Sequence, residues 1–220
     1  MTSRRECFKG IIFDMDGVLV DSEPHHYDAE DIIFDTMGIH VSKKMRDSFT
    51  GISNDIMWQT IKDHLSLETH VNDLKTEAEK IRLKYFKNIK DLQAIEGAKE
   101  LLKKLRISGT AAALASSSTL DLIELMLDRI GLTRYFPHRV SGEEVQCGKP
   151  APDIFLEAAH RLGLEPSSCC VIEDSYNGVK AAKDAGMTVY AFRGGNDNTQ
   201  DLSGADKTFT SFKDISLFLF

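Results

Sequence analysis

The sequence predicts an α/β fold: a doubly wound parallel sheet with a small α-helical module inserted after the first strand. Two observations lead there. Short β-prone runs alternate with longer helical patterns through most of the 220 residues, as in strands joined by helical crossovers. One stretch, 22–92, holds no convincing strand and is too long for a simple crossover. The predicted domains are therefore an α/β core over 1–21 and 93–220, and a helical insert over 22–92.

The strands come first. Gly10-Ile11-Ile12-Phe13 reads as a buried strand that stops at polar Asp14, with a glycine turn at Gly17. Thr110 to Ala115 reads as a second strand, Cys169 to Ile172 as a third and Met187 to Phe192 as a fourth, with His138 to Ser141 a weaker candidate. Helices fill the gaps. Ala98, Leu101, Leu102 and Leu105 recur at i, i+3, i+4 and i+7, one apolar face. Pro152 opens a helix whose face is Ile154, Phe155, Ala158, Ala159 and Leu162, with Gly163 as its stop. Leu120 to Ile130, apolar on most sides and ending at Gly131, reads as a buried crossover helix. Within the insert the helical patterns centre on Tyr27 to Met37, Asp55 to Leu65 and Val71 to Ile89.

Bulk properties exclude more than they select. The apolar content of 42% suffices for a sizeable core, and the net charge of −7, from 34 acidic and 27 basic side chains, disfavours broad nucleic-acid binding. A small anionic substrate stays open, because local cations and a metal outweigh a weak global field. Cys169 and Cys170 are adjacent, Cys7 and Cys147 isolated, and no CxxC pair occurs, so neither a disulfide framework nor a zinc knuckle is indicated. The apolar run after Arg4 and Arg5 is too short for a secretory or membrane segment. The expectation is a cytoplasmic monomer without nucleic-acid or membrane partners.

In open parallel sheets ligands bind beyond the carboxyl ends of the strands. Three strand ends carry polar residues: Asp14-Met15-Asp16-Gly17, Ser116-Ser117-Ser118 and Glu173-Asp174, and Lys149-Pro150 precedes the helix leading to the third. If they converge, Asp14, Asp16, Glu173 and Asp174 repel one another. Each close pair costs up to ~4 kcal/mol at about 4 Å and an effective dielectric of about 20. Such a cluster calls for a cation, and all-oxygen donors favour Mg²⁺. Metal, lysine and serine together make an electrophilic pocket for phosphate. One carboxylate can then attack phosphorus while a second carries protons.

These segments resemble four motifs of the haloacid dehalogenase (HAD) superfamily. Asp14-Met15-Asp16-Gly17-Val18-Leu19-Val20-Asp21-Ser22 is similar to the first, Ala115 to Ser118 to the second, Lys149-Pro150 to the third, and Val171 to Ser175 to the fourth. Their order and spacing agree over essentially the whole chain, and the insert resembles the helical cap of the β-phosphoglucomutase-like subfamily. The resemblance implies a Rossmann-like core, Asp14 as nucleophile and Asp16 as general acid/base. It implies Ser116, Ser117 and Lys149 as phosphate binders and Mg²⁺ held by Asp14, the carbonyl of Asp16 and Asp174, with Glu173 nearby. Dehalogenases typically lack the second aspartate, so Asp16 favours phosphoryl transfer.

Within the subfamily two activities compete, hydrolysis of a sugar or polyol phosphate and sugar phosphomutation. A mutase holds two phosphates, and a lysine before Gly51 and an arginine three residues after it would be expected; Thr50 and Asn54 stand there. Phosphatase is the preferred reading, with His26, Gly51 and Asn54 as candidate substrate-facing residues of the insert. Rival classes are a non-catalytic phospho-ligand sensor and an interaction protein docking through the insert. Plainer roles are open as well. Ser118 or Thr119 can cap the helix at 120–130, Glu173-Asp174 can serve a helix N-terminus, Trp58 can be a core aromatic, and the basic residues of 80–90 can line a solvated face.

Overall fold

The computed structural model describes residues 7–49, 54–194 and 200–219. In chain order the elements are β1 (Gly10–Phe13), α1 (Glu23–Met37), α2 (Lys43–Asp47), α3 (Asn54–Leu65), α4 (Val71–Asn88) and α5 (Ala98–Ser108). There follow β2 (Ala111–Ser116), α6 (Leu120–Arg129), β3 (His138–Ser141), α7 (Asp153–Leu162) and β4 (Cys169–Glu173). The chain ends through α8 (Tyr176–Asp184), β5 (Thr188–Phe192), β6 (Lys207–Phe209) and α9 (Phe212–Leu219).

The six strands form one parallel sheet in the order β3-β2-β1-β4-β5-β6. The chain winds outward from β1 through β2 to β3, then returns to place β4 on the other side of β1. That reversal opens a crevice at the carboxyl ends of β1 and β4, where an open α/β sheet binds its ligands. β1 and β4 are buried at every position, as central parallel strands covered on both faces must be. One face of the sheet packs Ile12, Ala113, Val140, Val171 and Val189 with Ile154, Phe155, Ala158 and Ala159 of α7. The periodicity that predicted α7 is thus the periodicity of its burial. Gly163 ends that helix at φ +67°, and Gly131 follows the end of α6 at φ +69°.

Contacts divide the chain into two compact units, 1–22 with 91–220, and 23–90. The second unit consists of α1 to α4 and encloses its own apolar interior of Ile33, Phe34, Trp58, Ile61, Leu74 and Ala78. Trp58 is a core aromatic, 6.0 Å from the Phe34 ring. The basic residues of 80–90 are not uniformly solvated: Lys80, Lys84 and Lys87 are exposed, but Arg82 is drawn inward against Glu79 at 2.8 Å. Four elements have no predicted span in the sequence reading, although a helix start at Glu173-Asp174 was allowed for. The edge strand β6 is only Lys207-Thr208-Phe209 and lacks an apolar run. The others are α2, five residues capped by Ser42, α8, whose buried face is made of Gly178, Val179, Ala181 and Ala182, and the terminal α9.

Candidate active site

The predicted core residues meet within the α/β unit. Lys149 donates to Asp14 Oδ1 at 2.5 Å, to Glu173 Oε1 at 2.7 Å and to the Ala115 carbonyl at 3.2 Å. It thereby joins the ends of β1, β2 and β4 through one ammonium, with the Phe155 ring at 4.9 Å. Asp14 and Glu173 are 6% and 1% exposed, so these are buried charges that survive only because they are paired.

Asp16 is held by hydroxyls. Ser22 donates to its Oδ1 at 2.5 Å, and Ser118 and Ser116 lie 3.1 and 3.5 Å from its Oδ2. Ser116 is fully buried and accepts the Ser118 N–H at 3.1 Å, whereas Ser117 is exposed. The loop between the aspartates and Val20 is closed by the Gly17 N–H bonding to the Val20 carbonyl at 2.8 Å. Gly17 has φ +75°, and a Cβ there would stand 2.0 Å from Asp174 Oδ2. Only glycine admits Asp174 so close to the first loop.

Glu173 is held at both carboxylate oxygens. Its Oε1 takes Lys149, and its Oε2 accepts the Asp174 and Ser175 N–H groups, both at 2.8 Å, and the Ser175 hydroxyl at 2.9 Å. Both oxygens thus orient the lysine and secure the start of α8, beside the Asp14 and Asp174 carboxylates. Gly178 is required beside it, since a Cβ there would overlap the carboxylate. Among the described residues no three His, Cys, Asp or Glu side chains form a ready-made metal cluster.

The electrostatics still fit a cation. Burial raises Asp14 from 3.8 to about 8 against the pull of Lys149, with repulsion from Glu173 and Asp16 adding to it. Burial raises Asp174 to about 9, and repulsion from Glu173 and Asp14 adds to it. Burial alone would lower Lys149, but Asp14 and Glu173 outweigh it and hold the ammonium charged. One lysine does not balance this cluster, and a hard divalent cation would offset the remaining repulsion between the carboxylates.

The helical unit supplies fewer fixed points. His26 is half-buried with its ring 5.0 Å from the Phe86 ring. Asn54 is exposed at the start of α3, and Gly51 and Thr50 lie outside the described residues. His25 lies 6.5 Å from the same Phe86 ring, and its Nδ1 is 3.4 Å from the Tyr85 hydroxyl, which donates to Asp28 at 3.0 Å. The sequence reading missed Ser22 and Ser175, which orient Asp16 and Glu173. Their only signal was a hydroxyl next to a motif carboxylate, too common a pairing to weigh alone.

The chain is similar to known proteins over most of its length. The model of the haloacid dehalogenase-like hydrolase family matches residues 11–192. A Drosophila melanogaster protein named probable pseudouridine-5′-phosphatase is 35% identical over 188 residues, covering 81% of this chain and 78% of its own. The β-phosphoglucomutase of Bacillus subtilis is 33% identical over 221 residues, covering 96% and 93%. The crystal structure of β-phosphoglucomutase from Clostridium difficile superposes with a TM-score of 0.78 at 24% identity, covering 96% of this chain and 97% of that one, a likeness of fold.

Proposed function

We infer the activity from one premise: this chain belongs to the haloacid dehalogenase-like hydrolase family. It is proposed to be a phosphatase that hydrolyses a small phosphomonoester, a sugar or polyol phosphate, through an aspartyl-phosphate intermediate. The observation that carries this reading is the pairing of two carboxylates in different settings at the end of β1. Asp14 is buried against a cation, 2.5 Å from Lys149, and Asp16 is ringed by the hydroxyls of Ser22, Ser118 and Ser116.

Different settings suit different roles. Asp14 attacks phosphorus, the bond to the ester oxygen breaks, and the phosphoryl group rests on the Asp14 carboxylate. Asp16 in its protonated form gives its proton to the departing oxygen. It then takes one from the water that hydrolyses the aspartyl phosphate. Lys149 and Ser116, with the main chain of Ser117, offset charge on the phosphoryl oxygens. Asp14, Asp174 and the Asp16 carbonyl would hold Mg²⁺, which when bound supplies Lewis-acid stabilisation of the phosphoryl charge. The hydroxyl ring around Asp16 has no purpose in a passive phospho-ligand sensor.

A phosphomutase is the second reading, favoured by the 33% identity to the Bacillus subtilis mutase along 96% of this chain. Against it stands neutral Asn54, where a second phosphate would need a cation. The helical unit, with His26, Gly51 and Asn54, is proposed to select the substrate.

The test is phosphate release from a panel of sugar, polyol and nucleoside monophosphates with Mg²⁺, run beside an isomerisation assay on β-glucose 1-phosphate with its bisphosphate. Release from one or a few substrates is expected, with Asp14→Asn lowering turnover by about 10³-fold or more. Isomerisation with little free phosphate would establish the mutase. Turnover that survives in Asp14→Asn would remove the aspartyl-phosphate mechanism altogether.

A further inference from the structure

The hydroxyl that Ser118 offers to Asp16 is only as well placed as the main chain of Ser118, and that main chain lies beyond the sheet. The last β2–β3 register pair is Ser116 with Ser141. Past it, the side chain of Ser141 carries the pairing one step further. Its hydroxyl donates to the Ser118 carbonyl at 2.7 Å and accepts the Glu143 N–H at 3.1 Å. Ser141 has no solvent exposure, so each bond is made in a dry setting where an unmade one is costly.

Ser141 is itself braced from the surface. Glu144 Oε2 accepts the Ser141 N–H at 2.8 Å, closing a capping box over the 3₁₀ turn Gly142–Glu144. Arg161 on α7 donates to Glu144 Oε1 at 2.9 Å and to Glu157 at 2.7 Å, and reaches the Arg139 carbonyl at the start of the same turn-bearing strand. Gly142 sits flat on the serine loop, since a Cβ there would approach Ser117 main-chain atoms to 3.1–3.4 Å. The turn is therefore packed and hydrogen-bonded onto the loop at once. One continuous path runs from Arg161 through Glu144, Ser141 and Ser118 to Asp16.

We propose that Ser141, backed by the Glu144–Arg161 ion pair, is a positioning residue for proton transfer by Asp16. It acts by fixing the Ser118 main chain from which the Asp16 carboxylate is aimed. This rests on Asp16 being the acid/base of a phosphatase, and its consequence is specific. Misaiming Asp16 hurts substrates whose leaving oxygen needs a proton and spares those whose leaving group departs as a stable anion.

The measurement is kcat/KM for the preferred sugar or polyol phosphate and for p-nitrophenyl phosphate, whose nitrophenolate leaves without a proton. In Ser141→Ala the alkyl ester should lose roughly three- to tenfold, the kinetic equivalent of one hydrogen bond, and the nitrophenyl ester much less. Glu144→Gln should bias the ratio in the same direction by about two- to threefold, and it stands in should Ser141→Ala fail to fold. Asp16→Asn should show the largest bias. Equal losses on both substrates, or none, in the Ser141 and Glu144 variants would overturn the positioning role. Asp14→Asn in the same panel separates the failures: if it is inactive while the ratios stay flat, the phosphatase stands and only this inference falls.

Discussion

The two units of this chain treat charge in opposite ways. The α/β unit takes charge inside: Asp14, Glu173 and Lys149 meet with side chains less than a tenth exposed. The helical unit keeps its interior apolar, around Ile33, Trp58, Ile61 and Leu74; its ion pairs run from the exposed Lys80–Glu77 to the half-buried Arg82–Glu79, and none is as enclosed among the described residues as that of Lys149. Taking an ion out of water costs several kcal/mol even after relaxation, and replacing a buried pair with apolar groups often stabilises a protein. A fold selected for stability alone would resemble the helical unit throughout. The α/β unit instead gathers charge where three strands end, and that expense marks the candidate site.

Breaking the charged centre should produce the largest effect. Lys149→Met leaves Asp14 and Glu173 buried without their cation, and roughly 3–5 kcal/mol of stability should be lost along with turnover. Denaturant unfolding checks it, and a variant as stable as the parent would mean that water reaches these carboxylates. Ile61→Ala probes the apolar centre and should cost about 2–5 kcal/mol, depending on how far the cavity collapses. Hydrogen exchange resolved by segment should register that loss in 23–90 while β1, β2 and β4 stay protected. Uniform loss across both units would contradict their separation.

The smallest effect tests the cation directly. Asp14 and Asp174 hold protons more tightly folded than unfolded, their folded values being raised from 3.8 to about 8 and 9. Their contribution is therefore most favourable in acid, below the unfolded value, and is lost as pH climbs toward the folded ones. Magnesium should reverse that loss by replacing the protons. A rise in Tm of roughly 5 °C is expected at pH 8 under saturating Mg²⁺, and less at pH 5, where protons compete. A Tm indifferent to magnesium at both values would dismiss Asp14 and Asp174 as a cation site.

How far the sequence anticipated this depends on the scale of the contact. The sheet was legible because β1, β2, β4 and β5 are apolar runs bounded by polar residues. The site was legible because polar residues that terminate a buried strand can sit only at the rim of the sheet, where ligands bind. β6 was not, since an edge strand of Lys207-Thr208-Phe209 has no apolar run to announce it. The task of Glu173 was hidden for another reason. Neighbouring side chains at a strand end point to different sides, and that Glu173 rather than its neighbour takes Lys149 shows only in three dimensions. Arg82 shows the same limit: a basic residue in a basic helix reads as solvated until its partner Glu79 is placed beside it. Ser141 was read only as strand, because its hydroxyl acts on a loop 23 residues away.

The position of β1 in the sheet also bears on how the protein is made. Its two neighbours are β2, which begins at Ala111, and β4, which begins at Cys169. A chain emerging from the ribosome therefore carries the Asp14 strand for some time before either neighbour exists. The helical unit, whose contacts are local in sequence, can fold in that interval, while the central strand waits on the most distant pairings in the molecule. A nascent chain that has reached β2 but not β4 has neither Glu173 nor Asp174. No product that stops short of Asp174 carries the full candidate centre, and a nonsense codon before Asp174 should abolish activity even where the helical unit is complete.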